Sequence, residues 1–342
     1  MAARRTGMGR RAGKIGALFV ALAAAYLYTS STSLKAADQA MIAAANPHAA
    51  RAGSDILKAG GSAIDAAIAA QMVLGLVEPQ SSGIGGGGFL LHYNVTSGAI
   101  ESFDGRETAP ASASGDLFRK ADGSLMSWPE AASGGLSVGV PGLLRMLELA
   151  HRKHGRLPWA RLFEPAIQLA EEGFIVSPRM AESIAGNADL ADFPAARDYF
   201  FADGAPLKAG VRRDNAAYAA TLRTIAAGGA DAFYYGEIAD DIAAAVQAAT
   251  RNPGALTAAD MEMYEAHQRP PVCAPYRVYM VCGMGPPSSG GLTTLQILGL
   301  IERFDIAGLG ANSLGAVHII SEASRLAFAD RALFMADSDF VA

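Results

Sequence analysis

The chain reads as a layered α/β protein of α+β type, with helices packed closely against a small sheet, and three observations predict this. Two apolar runs, Phe89–Tyr93 and Ala99–Phe103, stand between turn signals and read as buried strands. Alanine-rich segments with helical spacing surround them, as in Ser62–Val77, where Ile64, Ile68 and Met72 share one face. Glycines punctuate the two kinds of segment at Gly60-Gly61, Gly83–Gly88, Gly134-Gly135 and Gly139–Gly142, where backbone can approach backbone or ligand closely. At 342 residues and 51% hydrophobic composition, the chain can bury a large core.

Taken in order, a helix over about Pro47–Ala59 stops at Gly60-Gly61, and Ser62 is the N-cap of the next, so the two form a tight pair. The hairpin Phe89–Phe103 follows. Asp116–Pro129 is polar and turn-rich, and Pro141-Gly142 introduces a helix over Leu143–His154 that Gly155 ends. Helical spacing recurs over Trp159–Glu172, Asn215–Ala227 and Ile238–Ala249, while Thr257 and Asp260 have the spacing of a capping box. A second hairpin spans Val272–Cys282. The turn Pro286–Gly291 then leads to helices over Leu292–Arg303 and Leu314–Met335. Four strands are few for so many amphipathic helices, so the sheet is expected to gain strands from elsewhere. No segment has the composition of an interdomain linker.

The formal net charge is −5, yet residues 1–35 hold Arg4, Arg5, Arg10, Arg11, Lys14 and Lys35 with no acid, so the body is more acidic than the whole. With no other basic cluster, nucleic acid is not an expected partner. Behind the first five of those charges, the apolar run Ile15–Tyr28 reaches only about 21 Å as a helix, short of a ~30 Å hydrocarbon core. Residues 1–36 therefore read as a signal peptide or a short membrane anchor, which places the body outside the cytoplasm in a periplasmic or extracellular setting. Arg10-Arg11 fits an ordinary basic n-region. Export permits a disulfide, and a turn at Arg277-Val278 would set Cys273 opposite Cys282. Arg-Val is a poor two-residue turn, so a disulfide and two buried thiols both stay open.

Gly83, Gly85 and Gly88 satisfy the bare dinucleotide pattern GxGxxG, but a helix precedes these glycines and a strand follows. The fingerprint needs the reverse, so nucleotide binding is not expected. Arg106 is the candidate binding residue. It sits just past a strand end, where a guanidinium held by rigid elements suits bidentate capture of a small carboxylate. The competing reading is a surface arginine paired with Glu107 or Asp104. Among the six histidines, His151 and His154 share a helical face, but no third ligand is evident, and a solvated basic helix end is expected rather than a metal site. Asn94-Val95-Thr96 has the form of a sequon but is read as a turn. Ser288-Ser289 lacks a nearby base.

Several long segments in the same order resemble the gamma-glutamyltransferase (glutathione hydrolase) family, in its large-subunit region. They are ANPHAARAGSDILKAGGSAIDAAIAAQMVLGLVEPQSSGIGGGGF, DGRETAP, ASGGLSVGVPG, GMGPPSSGG and SEASRLAFADR, which together cover about Ala43–Ala342. The resemblance implies an N-terminal-nucleophile hydrolase with a four-layer αββα sandwich. By it, Arg106 binds the α-carboxylate of a γ-glutamyl group, Glu107 orients the loop, and residues 37–342 are a large-subunit region that stops short of the nucleophile. No catalytic residue is expected within the chain. The nucleophile would be the N-terminal threonine of a small-subunit region beyond it, while Thr293-Thr294 begins a helix.

The implied activity is cleavage of glutathione and other γ-glutamyl compounds, with transfer to water or amines through a threonine ester. No cofactor and no metal are implied. Two alternatives stand beside this reading: a cephalosporin or glutaryl acylase of the same fold, and a non-catalytic exported carboxylate-binding protein.

Overall fold

The computed structural model describes residues 40–341, so the leader expected at residues 1–36 lies outside the described residues. The longer helices are α1 (Pro47–Lys58), α2 (Ala63–Val77), α3 (Leu143–His154), α4 (Glu164–Glu172), α5 (Pro178–Gly186), α6 (Ala216–Gly228), α7 (Glu237–Gln247), α8 (Gly290–Ile301) and α9 (Leu314–Phe334). The main strands are β1 (Gly88–Asn94), β2 (Ala99–Gly105), β3 (His267–Arg269), β4 (Val272–Tyr276) and β5 (Tyr279–Gly283). Among the described residues, no helix is long and apolar enough to cross a membrane.

The core forms around α2. Its expected face of Ile64, Ile68 and Met72 is buried, and so are Ala66, Ala69, Val73 and Leu76 on its other sides. A helix apolar all round belongs in an interior, and α1, α3 and α4 pack against it. Ser62 and Asp65 form the capping box at its start. Asp65 is fully buried and does more than cap: its Oδ2 accepts from the N–H groups of Ser62 at 2.8 Å, Arg156 at 2.9 Å and Leu157 at 3.1 Å. The start of α2 is thereby fixed to the turn that leaves α3. His151 completes the joint, with Nε2 2.9 Å from the Leu157 carbonyl and 3.5 Å from Asp65 Oδ1.

β1, β2 and β3 form one antiparallel sheet in that order, with Gly88 opposite Gly105, His92 opposite Glu101 and Asp104 opposite His267. Strand β3 was not foreseen, because three polar residues carry no alternating pattern. The expectation of two buried strands holds for β2, where Ser102–Gly105 are buried, and fails for β1. Leu91 and Tyr93 are 46% and 60% exposed. Among the described residues β1 is an edge strand, and α3 packs on the face of the hairpin that carries Leu90, His92 and Phe103. At the hairpin tip Asn94 Oδ1 accepts from the N–H groups of Thr96 and Ser97 at 2.9 and 3.3 Å, so Asn94 builds a turn as read.

The second hairpin, β4–β5, sets Cys273 opposite Cys282 with Cα atoms 4.1 Å apart, and a disulfide joins them. Arg277 takes φ +55° in the two-residue turn. That conformation is unusual for a residue with a Cβ, and the Arg277 N–H is held by Glu302 Oε1 at 3.0 Å, which supplies what the Arg-Val sequence lacks. Helices α8 and α9 pack against each other, and α8 also covers the hairpin. The segment read as one helix over Trp159–Glu172 is a short 3-10 turn, Trp159–Leu162, followed by α4, because Pro165 near the helix start has no N–H to continue the ladder. Residues 173–214, whose spacing has no clear period, hold α5, shorter helices and two small two-residue strand pairs.

Two outcomes follow from these joints. Asp65→Asn, which keeps size but removes the charge that three N–H donors share, should cost about 1.5–3 kcal/mol, read as a lower urea midpoint with an unchanged slope. The Cys273–Cys282 disulfide should show in intact mass: under denaturing conditions an alkylating reagent adds nothing before reduction and two groups after it. Alkylation without reduction would refute the pairing.

Candidate functional site

Arg106 follows the last residue of β2, and its backbone is clamped from both sides. Asp104 Oδ1 accepts the Arg106 N–H at 2.9 Å, and the Tyr264 hydroxyl donates to the Arg106 carbonyl at 2.7 Å. The other Asp104 oxygen accepts from Arg269 Nε at 2.7 Å, and the far side of that guanidinium grips Asp339, with Nη1 2.9 Å from Oδ1. Burial, then the nearby Tyr234, Asp104 and Glu107, hold the Tyr264 phenol well above its ordinary range, so it stays protonated as a donor. The Arg269 hydrogen bonds lower the Asp339 carboxyl, and Asp339 first and Asp104 next strengthen the charge on Arg269.

Close approach of three loops makes the clamp possible. The Gly86 carbonyl accepts the N–H groups of Gly142 and Leu143 at 3.0 and 3.1 Å, which ties the start of α3 to the glycine turn before β1. A Cβ at Gly142 would lie 2.0 Å from the Tyr264 hydroxyl oxygen, and one at Gly105 would lie 2.5 Å from Met146 Cβ. Only glycine fits there. The turn Gly83–Gly88 is preceded by α2 and followed by β1, the order opposite to a dinucleotide fingerprint.

Against this fixed backbone the Arg106 side chain is 61% exposed, and its ion-pair neighbour is Glu107, with Nη1 3.5 Å from Oε2. Asp104, the other expected partner, has both oxygens engaged elsewhere. Glu107 Oε2 is buried without a hydrogen bond and sits over Gly87. Glu107 also borders a cleft of about 810 Å³ along the glycine turn and β1, lined by Gln71, Ser81, Ser82, Gly85 and Met146 among others. Arg106 stands next to this cleft without forming its wall. An exposed planar fork on an immobile base is suited to a carboxylate.

The remaining candidates separate. His151 turns inward to Asp65, whereas His154 Nε2 lies 2.5 Å from Glu101 Oε2 and its ring stacks on His92 with centroids 3.9 Å apart. These partners come from the hairpin, 53 or more residues away in sequence, which helical spacing could not reveal. Lys153 foremost, then Gln268 and His154, hold the Glu101 carboxyl down at about 2, while burial and then His154 lower His92. Ser289 Oγ accepts from Arg331 Nε at 2.7 Å, and Thr293 and Thr294 lie within α8. Tyr264, Arg269 and Asp339 were missed, since Tyr264 and Arg269 reach the loop from 158 and 165 residues away, and Asp339 acts on it only through Arg269, 70 residues distant.

The family model for Gamma-glutamyltranspeptidase matches residues 49–342. A glutathione hydrolase proenzyme of Escherichia coli is 38% identical over 307 residues, 89% of this chain and 52% of that protein. An acylase ACY 1 proenzyme of Pseudomonas sp. (strain SE83) is 37% identical over 320 residues, 92% of this chain and 57% of that protein. The crystal structure of Helicobacter pylori gamma-glutamyltranspeptidase superposes with a TM-score of 0.84 at 34% identity, covering 89% of this chain and 86% of that one. The chain belongs to the gamma-glutamyltranspeptidase family, with the mixed α/β fold of its solved members. It spans about half the length of the curated relatives it matches.

Arg269 and Arg106 should separate in a stability measurement. Arg269→Met leaves the Asp104 carboxylate buried without its cation and should cost about 3–5 kcal/mol. Arg106→Ala, at an exposed side chain, should stay within about 0.5 kcal/mol. Equal losses in thermal or urea unfolding would overturn this division of labour.

Proposed function

We propose that the protein acts in γ-glutamyl transfer and hydrolysis, cleaving the γ-glutamyl amide of glutathione and related compounds, and that Arg106 holds the α-carboxylate of the γ-glutamyl group. The observation that carries this reading is the exposed guanidinium of Arg106 on a doubly clamped backbone. The names of the relatives, glutathione hydrolase proenzyme and gamma-glutamyltranspeptidase, support the substrate class. The nucleophile in this reading is the N-terminal threonine of a further segment, freed by self-cleavage. Its hydroxyl attacks the γ-amide carbonyl while its own α-amine takes the proton, and that proton passes to the departing amine. Water or an acceptor amine then attacks the resulting ester and releases the threonine.

Two uncovered surfaces support such a segment. β1 is a free sheet edge among the described residues, and α9 leaves Val317, Leu326, Phe328, Leu333 and Phe334 exposed. A small-subunit region that adds strands at the first and covers the second would complete a four-layer αββα sandwich. The basic and apolar residues before Thr29, together with a disulfide in the body, support export to an oxidising compartment. An acylase acting on another carboxylate-bearing amide is the second reading, favoured by the 37% identical acylase proenzyme.

The test uses the protein with its downstream segment. Arg106→Ala should raise KM for a γ-glutamyl anilide by about 10- to 100-fold, the loss of a charge-assisted contact, with folding intact. Arg106→Lys should recover only part of it. Unchanged kinetics for both would remove Arg106 from the site, and preferential turnover of a glutaryl amide in competition would favour the acylase. Residues 1–342 expressed alone should neither cleave themselves nor release anilide. Activity from that chain would place the nucleophile within it.

A further inference from the structure

At the end of the hairpin away from Arg106, three side chains that the proposed reaction does not use converge. β-register sets His92 directly opposite Glu101, and α3 brings its last residue, His154, over both. One ligand atom from each lies within 4.8 Å of the others. We propose that His92, Glu101 and His154 form a binding site for a divalent transition-metal ion, with Zn²⁺ the best match.

The geometry is close to what such an ion requires. Donors around tetrahedral Zn²⁺ at ~2.0–2.1 Å stand roughly 3.3 Å from one another. Glu101 Oε2 is 2.5 Å from His154 Nε2 and 3.8 Å from His92 Nδ1, so the two separations bracket that spacing, and rotation of the side chains within the part-buried site accommodates an ion between them. The stacked rings have to tilt apart for their lone pairs to converge, from the present interplanar angle of 25°.

A supporting shell is already in place. The other carboxylate oxygen, Oε1, is held by Lys153 Nζ and by Gln268 Nε2, the latter at 2.9 Å, and Gln268 Oε1 in turn accepts from Lys153 at 2.9 Å. This fixes the carboxylate so that Oε2 faces the imidazoles, as outer-shell partners do in metal sites. His92 Nδ1 is buried and has no hydrogen-bond partner, a polar atom for which an ion would account. The ligand side chains are 17%, 19% and 16% exposed, which leaves one coordination position open to water. Two imidazoles with one carboxylate favour Zn²⁺ over Mg²⁺ or Ca²⁺, whose sites are built from oxygen. The ion would join β1, β2 and the end of α3 at one point.

The test is metal titration of the purified full-length protein after chelator treatment, with Zn²⁺ followed by calorimetry and Co²⁺ by visible absorption. The expected result is one ion per chain at this site, micromolar or tighter, intense tetrahedral Co²⁺ bands and a higher melting temperature with Zn²⁺. Outer-shell changes alone weaken metal binding by about 10- to 100-fold, so His92→Ala and His154→Ala should each weaken it by at least about 100-fold. His318→Ala, at an exposed histidine on α9, should leave it unchanged. Binding that survives the His92→Ala, His154→Ala pair would overturn the assignment. Should those variants fail to fold, the unsubstituted protein decides: the absence of saturable Zn²⁺ binding, or only weak octahedral Co²⁺ bands, would overturn it equally.

Discussion

Asp104 divides its two carboxylate oxygens between a backbone N–H and a guanidinium, and the candidate site depends on that division. One oxygen fixes the course of the chain at Arg106, and the other recruits Arg269. If Asp104 took the Arg106 side chain instead, the same two residues would make an ordinary local ion pair and no fork would face outward. The buried position of Asp104 makes the choice firm, because a carboxylate removed from water must be fully satisfied. Arg269 meets that need with an already paired, weakly hydrated cation, and leaves the Arg106 guanidinium with Glu107 as its neighbour.

The clamp is built from contacts that tolerate no extra atoms. Tyr264 reaches the Arg106 carbonyl only because Gly142 leaves room for its hydroxyl, and Gly142 itself hangs from the Gly86 carbonyl. Three loops far apart in sequence are thus held at backbone contact. A second joint, Asp65 with the turn after α3, fixes the other end of the helix that these loops position. Between the two joints α3 is fastened at both termini, so the sheet face it covers has little freedom to slide.

Much of this was legible locally. The Ser62 cap, the hairpin around Asn94 and the reversed order around Gly83–Gly88 follow from residue type and spacing, whereas the pairing of Cys273 with Cys282 stayed open because Arg277-Val278 is a poor two-residue turn. What was not legible depends on distant partners. The part played by Asp65 was not legible, because its partners Arg156 and Leu157 arrive from another helix end. His154 looked like a solvated basic residue because its partners lie on the hairpin, and β3 has too few residues to show a pattern. The exposure of β1 escaped notice for the same reason: an apolar run states that a strand can be buried, while the cover on its second face depends on elements distant in sequence.

The Arg269–Asp339 pair has a consequence for how firmly the arginine is held. Asp339 is tied by two hydrogen bonds to the guanidinium that also holds Asp104, so it is connected to the Arg106 backbone through two side chains. A displacement of Asp339 is therefore passed on to Arg106, because packed and hydrogen-bonded side chains transmit strain rather than absorb it. The pair therefore works as a brace. It couples the position of Asp339 to the course of the chain at the arginine.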